Sequence, residues 1–383
     1  MAGRKDPALA KRATEAGPAE VMRYPNRFPE TEHERVSHRE IGRRLAALLG
    51  VPFAGDCLPG QPGPGRCYYV PTDSLIGLEE AARLGIRDER DLFGGVVPMP
   101  FMATKAITHP LVEASAAAPR GWSAAFAERV RTSVLAGFSA FAPGDAEVAA
   151  QRLLARGPVR LKPVRATAGR GQLLIRDAAQ LEGALAGLDA DELAEYGVVL
   201  EEHLEQVVTY SVGQVRVGGR VASYCGTQSL TLDNQGETVY GGSELIVARG
   251  DYAAVLALGL PEPAQRAVTQ AQVYDAAADA CLDGFFASRR NYDVAQGYDA
   301  EGRFRSGVLE QSWRIGGASG AEVAALEAFA ADPRVAAVRA STLERFGAET
   351  PAPGSAAVLY RGEDPSIGFI GKYVVVEAYE NPQ

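Results

Sequence analysis

The chain has 383 residues, 46% of them hydrophobic and 23% charged, so it exceeds one ordinary domain and matches neither a disulfide-stapled miniature nor a disordered or fibrous protein. Its 39 Lys and Arg against 48 Asp and Glu leave a net charge of -9, which argues against a chain-wide affinity for nucleic acid. The four cysteines, Cys57, Cys67, Cys225 and Cys281, form no C-x-x-C pair, and no apolar run approaches the roughly 20 residues of a membrane span, so a cytoplasmic protein with reduced thiols is expected.

Residues 1–34 mix charge, Ala and Pro without apolar periodicity and predict a mobile arm. Val36, Ile41, Leu45, Leu48 and Leu49 then recur at helical intervals and Gly50 supplies a stop. The run CYYVPTDSL reads as a strand feeding a turn, with Asp73 or Ser74 as the cap of a following helix; 35–105 is therefore a small α/β unit. Trp122 to Arg156 predicts helices carrying Phe126, Val130, Val134 and Phe138, broken at Pro143-Gly144. Val159 to Ile175 reads as a strand, glycine loop, strand hairpin, Asp177 as a helix N-cap, and VVLEEHL as a strand ending at an acidic pair. Residues 106–206 form one unit on this reading, 207–345 a larger one rich in hairpins, and 346–383 terminal strands.

The hairpin over 290–314 is the most informative segment. Side chains at i and i+2 share one face of a strand, so Glu310, Ser312 and Arg314 are expected to point the same way. If the hairpin is symmetric about Glu301-Gly302, Asp293 falls directly opposite Glu310, with Cβ atoms about 5 Å apart. Two facing carboxylates are destabilising unless a cation lies between them, and such oxygen ligands suit Mg²⁺ together with substrate phosphates. Arg314 on the same face can clamp a phosphate. A solvated outer face is the alternative, but the strand runs into Trp313, Ile315 and GGASGAE, whose glycines allow close approach of backbone to a ligand.

A second segment, VRLKPVRATAGRGQ, places Lys162 before a glycine loop that can lay N–H groups over phosphates; it is neither a Walker loop nor a dinucleotide fingerprint. A third, VVLEEHLEQ, offers backbone at Glu202 to Leu204 to an adenine edge and Glu205 to a ribose, although in isolation an ordinary strand end with exposed acids is the favoured reading. His33 and His38 are spaced wrongly for H-E-x-x-H and are expected at the surface, and Cys225 is expected to be packed. His109, Arg249 and Lys372 are expected to be structural or solvated.

Together these segments resemble the ATP-grasp superfamily, and within bacteria the chain is similar to an ATP-grasp-like family with no assigned function. The resemblance implies a mixed α+β and α/β protein in which two α+β subdomains clamp a nucleotide, preceded by a small N-terminal α/β domain. It places Lys162 at the family's second lysine and Lys105 at its first, as in the biotin carboxylase branch. Thr167, Gly169 and Gly171 match its flexible loop, Glu201, Glu202, His203 and Leu204 its hinge, and Asp293, Glu310 and Ser312 its metal ligands. Arg314 and Glu322 match that branch's arginine and later glutamate. Ser312 stands where the family carries Asn, with Gln311 beside it to assist a second metal.

The function so implied uses ATP with Mg²⁺, or Mn²⁺, to activate a carboxylate as an acyl phosphate for attack by an amine or other nucleophile, with Lys162 and Arg314 as catalytic groups. A phosphotransferase on the same scaffold and a nucleotide-binding module without turnover are the alternatives. No nucleic-acid or membrane partner is expected, and the carboxylate, the nucleophile and the oligomeric state are not legible.

Overall fold

A computed structural model describes residues 17–57, 63, 65–164, 171–348 and 350–380. Strand β1 (Glu20–Tyr24) is followed by helix α1 (Glu32–Leu49), β2 (Phe53–Asp56), β3 (Cys67–Pro71), β4 (Leu75–Ile76), α2 (Leu78–Leu84) and β5 (Gly95–Val97). Strands β2-β1-β3 form a parallel sheet. Helix α1 begins with a Thr31/Glu34 capping box and ends at Gly50, whose φ of 71° is the left-handed conformation that glycine adopts without strain. It buries Ile41 and Leu45 of the expected apolar stripe, together with Ala46.

The expected arm is therefore too long, since β1 is the middle strand of this sheet. Its alternation is hidden because Arg23 points inward. That side chain is 2% exposed and is satisfied by Asp56 at 2.8 Å and Glu30 at 2.6 Å. Residues 1–16 of the arm lie outside the described residues.

After two short 3₁₀ turns, Pro100–Ala103 and Lys105–Ile107, the chain forms α3 (Ala124–Val130), β6 (Gly137–Ala140), α4 (Pro143–Leu154), β7 (Val159–Pro163), β8 (Leu173–Ile175), α5 (Ala178–Ala186), α6 (Ala190–Tyr196) and β9 (Val198–Glu202). The strands make an antiparallel sheet ordered β6-β9-β7-β8. The hairpin β7-β8 and the Asp177 cap, which accepts from the Gln180 N–H, are as expected. The expected continuous helical face is not: Phe138 lies in β6, and Pro143 opens α4 rather than ending a helix. Gly137 fits there because a Cβ would lie 2.8 Å from the His109 ring and from the Leu200 carbonyl.

The third unit contains β10 (Glu205–Val217), β11 (Arg220–Leu232), β12 (Thr238–Arg249), α7 (Tyr252–Leu256), α8 (Glu262–Cys281), β13 (Phe286–Ala287), β14 (Arg289–Tyr298), β15 (Phe304–Ser312), α9 (Ser319–Ala331), β16 (Ala337–Phe346), β17 (Ala357–Asp364) and β18 (Gly368–Ala378). An eight-stranded antiparallel sheet runs β15-β14-β10-β11-β12-β16-β18-β17. The terminal strands are thus not a separate element, because β18 pairs with β16 along Val338 to Phe346.

The architecture is the mixed α/β one expected, built on several sheets. The units are tied together near β15, the open edge of the large sheet. Val134 bridges to Val308, Arg305 pairs with Glu202 at 2.9 Å, and β13 joins β5 of the N-terminal unit. Among the described residues no helix is long and apolar enough to cross a membrane.

Candidate functional site

Asp293 and Glu310 face each other across β14 and β15 as expected, but a register shift after Asp293 is what brings them together. Nearer the turn, Val294 pairs with Val308 and Tyr298 with Phe304. The extra residue, Leu309, is a bulge; without it Asp293 would face Leu309 and Glu310 would sit one position away.

Glu310 Oε2 lies 2.8 Å from Nζ of Lys105, whose side chain is 7% exposed. The 3₁₀ turn carrying Lys105 is fixed from the next residue of the ribbon: Gln311 Nε2 donates to the Met102 and Thr104 carbonyls, both at 2.9 Å. Period-2 alternation turns Gln311 to the face opposite Glu310, so it holds Lys105 in place and is unavailable to a metal. Burial pushes the Glu310 carboxyl up, but Lys105, Lys162 and Arg314 outweigh it and hold the group below its ordinary range. One carboxylate thus feels all three cations that the sequence singles out.

Asp293 behaves in the opposite way. Burial first and the Glu310 charge second push its carboxyl up to about 6. Gln228 Nε2 at 2.9 Å and Asn291 Nδ2 at 3.1 Å both donate to Oδ1, which leaves Oδ2 without a partner among the described residues. Two facing carboxylates, one of them unwilling to ionise, are a donor set that a divalent cation fits. Among the described residues no group of three or more His, Cys, Asp or Glu side chains is placed to hold a metal.

A raised acid carries a testable cost. Asp293 binds its proton more tightly folded than unfolded, so stability falls as pH rises from 3.8 through about 6, and the penalty is complete above that. Asp293→Asn is therefore expected to raise the stability of the ligand-free protein by about 1–3 kcal/mol at pH 8, with little gain at pH 4. Denaturant unfolding at both pH values checks it; an equal or reversed effect would contradict the assignment.

Lys162 lies on β7 and pairs with Glu201 on β9, and His109 Nε2 lies 3.3 Å from the same carboxylate. Burial opposes ionisation of Glu201, yet Lys162 and His109 prevail and hold it down at about 2. At the hinge, the N–H groups of Glu202 and His203 donate to the Ala136 and Pro158 carbonyls, at 2.8 and 3.0 Å. They are spent inside the protein, which corrects the expectation that this backbone is free for a base; the Leu204 N–H donates to no described backbone carbonyl. The Glu202 side chain takes the Ala136 N–H and Arg305, His203 accepts from Arg160, and Glu205 begins β10 exposed. Thr167 and Gly169 lie outside the described residues, while Gly171 opens the return of the hairpin with a φ of 68°.

Behind the acids lies a buried network that the sequence reading missed. Arg289, 1% exposed, grips Glu322 through Nε and Nη2 at 2.8 to 3.1 Å. Its Nη1 lies 3.1 Å from Ser312 Oγ, 3.0 Å from the Ser312 carbonyl and 2.5 Å from the Arg314 carbonyl. Glu322, which matches the later glutamate of the biotin carboxylase branch, also takes the Tyr224 hydroxyl at 2.6 Å and is 0% exposed, so it braces the strand end. Ser312, expected as a metal ligand, is held by a guanidinium. Arg289 and Asn291 share the face of Asp293 by the same alternation that identified Ser312, so this signal was present in the sequence; Gln228, from β11, carried none.

Arg314 lies beyond the end of β15, with Nε 3.6 Å from Asp73. Asp73 and Ser74 do not cap α2, whose N-cap is Gly77; they form the turn that brings the N-terminal unit against Arg314 and the Trp313 carbonyl. His33 and His38 are not at the surface as expected: His33 is 8% exposed, and His38 meets Glu30 at 3.0 Å. Cys225 is packed as expected, and burial pushes its thiol up to about 12. Arg249 caps the Phe329 and Asp332 carbonyls, and Lys372 pairs with Glu344.

A family model described as "Protein of unknown function (DUF3182)" matches residues 21–374. No curated protein matches the sequence. Among solved structures the chain is similar to N5-carboxyaminoimidazole synthetase from Staphylococcus aureus complexed with ADP, at 12% identity and a TM-score of 0.49, with 95% of each chain covered. It is similar to carboxyaminoimidazole ribonucleotide synthase from Aspergillus clavatus complexed with ATP, at 12% identity and a TM-score of 0.49, with 94% of each chain covered. It is also similar to biotin carboxylase from Campylobacter jejuni, at 12% identity and a TM-score of 0.48, covering 94% of this chain and 87% of that one.

Proposed function

The chain belongs to the family described as protein of unknown function (DUF3182), and from its site we propose an ATP-dependent ligase of the ATP-grasp type, which activates a carboxylate as an acyl phosphate for attack by an amine or other nucleophile. The observation that carries the reading is the convergence of Lys105, Lys162 and Arg314 on Glu310, itself opposite Asp293. Three cations around two acids suit a polyphosphate tail: lysines neutralise its oxygens, and the acids take the Mg²⁺ it brings.

Asp293 and Glu310 would hold Mg²⁺, which when bound neutralises charge on the transferred phosphoryl group. Lys105, held by Gln311 at the 3₁₀ turn, and Lys162, held by Glu201, fix the α and β oxygens at positions set by β15 and β7. Arg314 steadies the acyl phosphate, its backbone carbonyl held by Arg289 Nη1 and its positive charge acting on the same site as Glu310. The substrate carboxylate oxygen attacks the γ-phosphorus of ATP and ADP leaves with the bonding pair of the broken P–O bond; the nucleophile then attacks the acyl carbon, loses its proton, and phosphate leaves with the bonding pair.

Hydroxylamine tests this against transfer to a hydroxyl. With ATP, Mg²⁺ and a panel of carboxylates, the expected result is ADP release that depends on one carboxylate class, with a hydroxamate formed in equal amount. A phosphorylated alcohol without hydroxamate would replace the ligase by a kinase, and nucleotide binding without ADP release under every substrate set would reduce the protein to a binding module.

A further inference from the structure

The two acids offer four oxygens, and their surroundings decide how many cations these can serve. Asp293 Oδ1 already accepts two amide N–H groups, from Gln228 and Asn291, and Glu310 Oε2 faces the Lys105 ammonium. Asp293 Oδ2 and Glu310 Oε1 remain. A second cation would need a further ligand, and the residue expected to supply it is Ser312. Its hydroxyl oxygen accepts from Arg289 Nη1 at 3.1 Å. Arg289 cannot withdraw: it is 1% exposed, bound to both oxygens of Glu322, and also holds the carbonyls of Ser312 and Arg314. A divalent ion on Ser312 would therefore find a neutral hydroxyl whose oxygen already accepts from a guanidinium, with the Glu322 carboxylate behind it spent on that guanidinium and on the Tyr224 hydroxyl. Gln311 cannot substitute, since strand alternation turns it to the face opposite Glu310, where its Nε2 is held by the Met102 and Thr104 carbonyls.

We infer that this site takes one divalent cation per nucleotide, held by Asp293 and Glu310, and that Arg289 occupies the Ser312 hydroxyl where a second cation would otherwise find its ligand. The inference rests on the nucleotide-binding reading above and deepens it. Ser312 is then a structural contact of Arg289 and ligates nothing. Asn291 and Gln228 are positioning residues that turn Oδ2 of Asp293 toward the cation.

Manganese counting tests it without any need for turnover. Full-length protein in excess over a non-hydrolysable ATP analogue is titrated with Mn²⁺, with bound ion read from loss of the free-ion electron paramagnetic resonance signal and bound nucleotide by ultrafiltration. One Mn²⁺ per bound nucleotide is expected. Two per nucleotide, with binding intact, would overturn the inference and leave the ligase reading standing; absence of bound nucleotide would overturn both. Ser312→Ala gives the second arm. Its Mn²⁺ affinity is expected within about two-fold of the parent, because the hydroxyl holds no ion, and a loss of ten-fold or more would overturn the inference. Thermal melting of the variant shows that it is folded.

Discussion

Glu310→Gln is expected to remove ATP turnover while leaving a folded protein. The amide keeps the shape of the side chain and an oxygen for Lys105, which lies 2.8 Å away, but it removes one of the two carboxylates placed to hold Mg²⁺. Losing that charge where phosphoryl transfer is neutralised is expected to cost at least about 10³-fold in ADP release, roughly 4 kcal/mol of barrier. Two effects on folding oppose each other: removing the Glu310 charge relieves repulsion on Asp293, but it leaves the Lys105 ammonium, 7% exposed, without its ion pair. Because the cations around Glu310 hold its carboxyl below the ordinary range, the second effect is the larger and the melting temperature is expected to fall while the protein stays folded. Turnover within ten-fold of the parent would contradict the assignment of the ribbon acids.

Lys162→Met carries the largest expected effect on stability. Lys162 and Glu201 are 5% and 3% exposed and paired, so removing the ammonium strands a buried carboxylate, a loss of about 3–5 kcal/mol. In the parent, Glu201 is held at about 2 against an ordinary 4.5, so its contribution is present above pH 4.5 and lost as pH falls toward 2. In Lys162→Met the carboxyl is expected to be raised, so the defect should shrink on acidification. Combining Lys162→Met with Glu201→Gln removes the stranded charge and is expected to recover most of the stability without recovering affinity for an ATP analogue. Denaturant unfolding and calorimetry separate the two effects. Recovery of nucleotide affinity in the double variant would show that Lys162 serves only to neutralise Glu201.

Much of the site could be read because β structure makes chemistry periodic. Alternation and a turn centred on Glu301-Gly302 predict Asp293 opposite Glu310; the ribbon turns half a residue earlier, and the bulge restores that pairing at the site. The reading reached the right pair without the bulge at Leu309, which no local pattern announces and which sets the register at the site. Where alternation was masked, the reading failed. Arg23 looks like a surface residue in β1 until Glu30 and Asp56 are seen to neutralise it. Phe138 fits a helical stripe and lies in a strand because β9 pairs with it. Glu322 is legible only as the match to a later glutamate, because its partner Arg289 lies more than thirty positions away and only the packed sheet brings the pair together.

The central claim is that Asp293 and Glu310 hold a metal ion against a triphosphate. A crystal structure of the full chain with Mn²⁺ and a non-hydrolysable ATP analogue tests it most directly, with the ion located by anomalous scattering. The expected result is a manganese peak bound by both carboxylates, with the triphosphate against Lys105 and Lys162. Analogue and ion ordered elsewhere on the molecule, with the two acids bare, would contradict it.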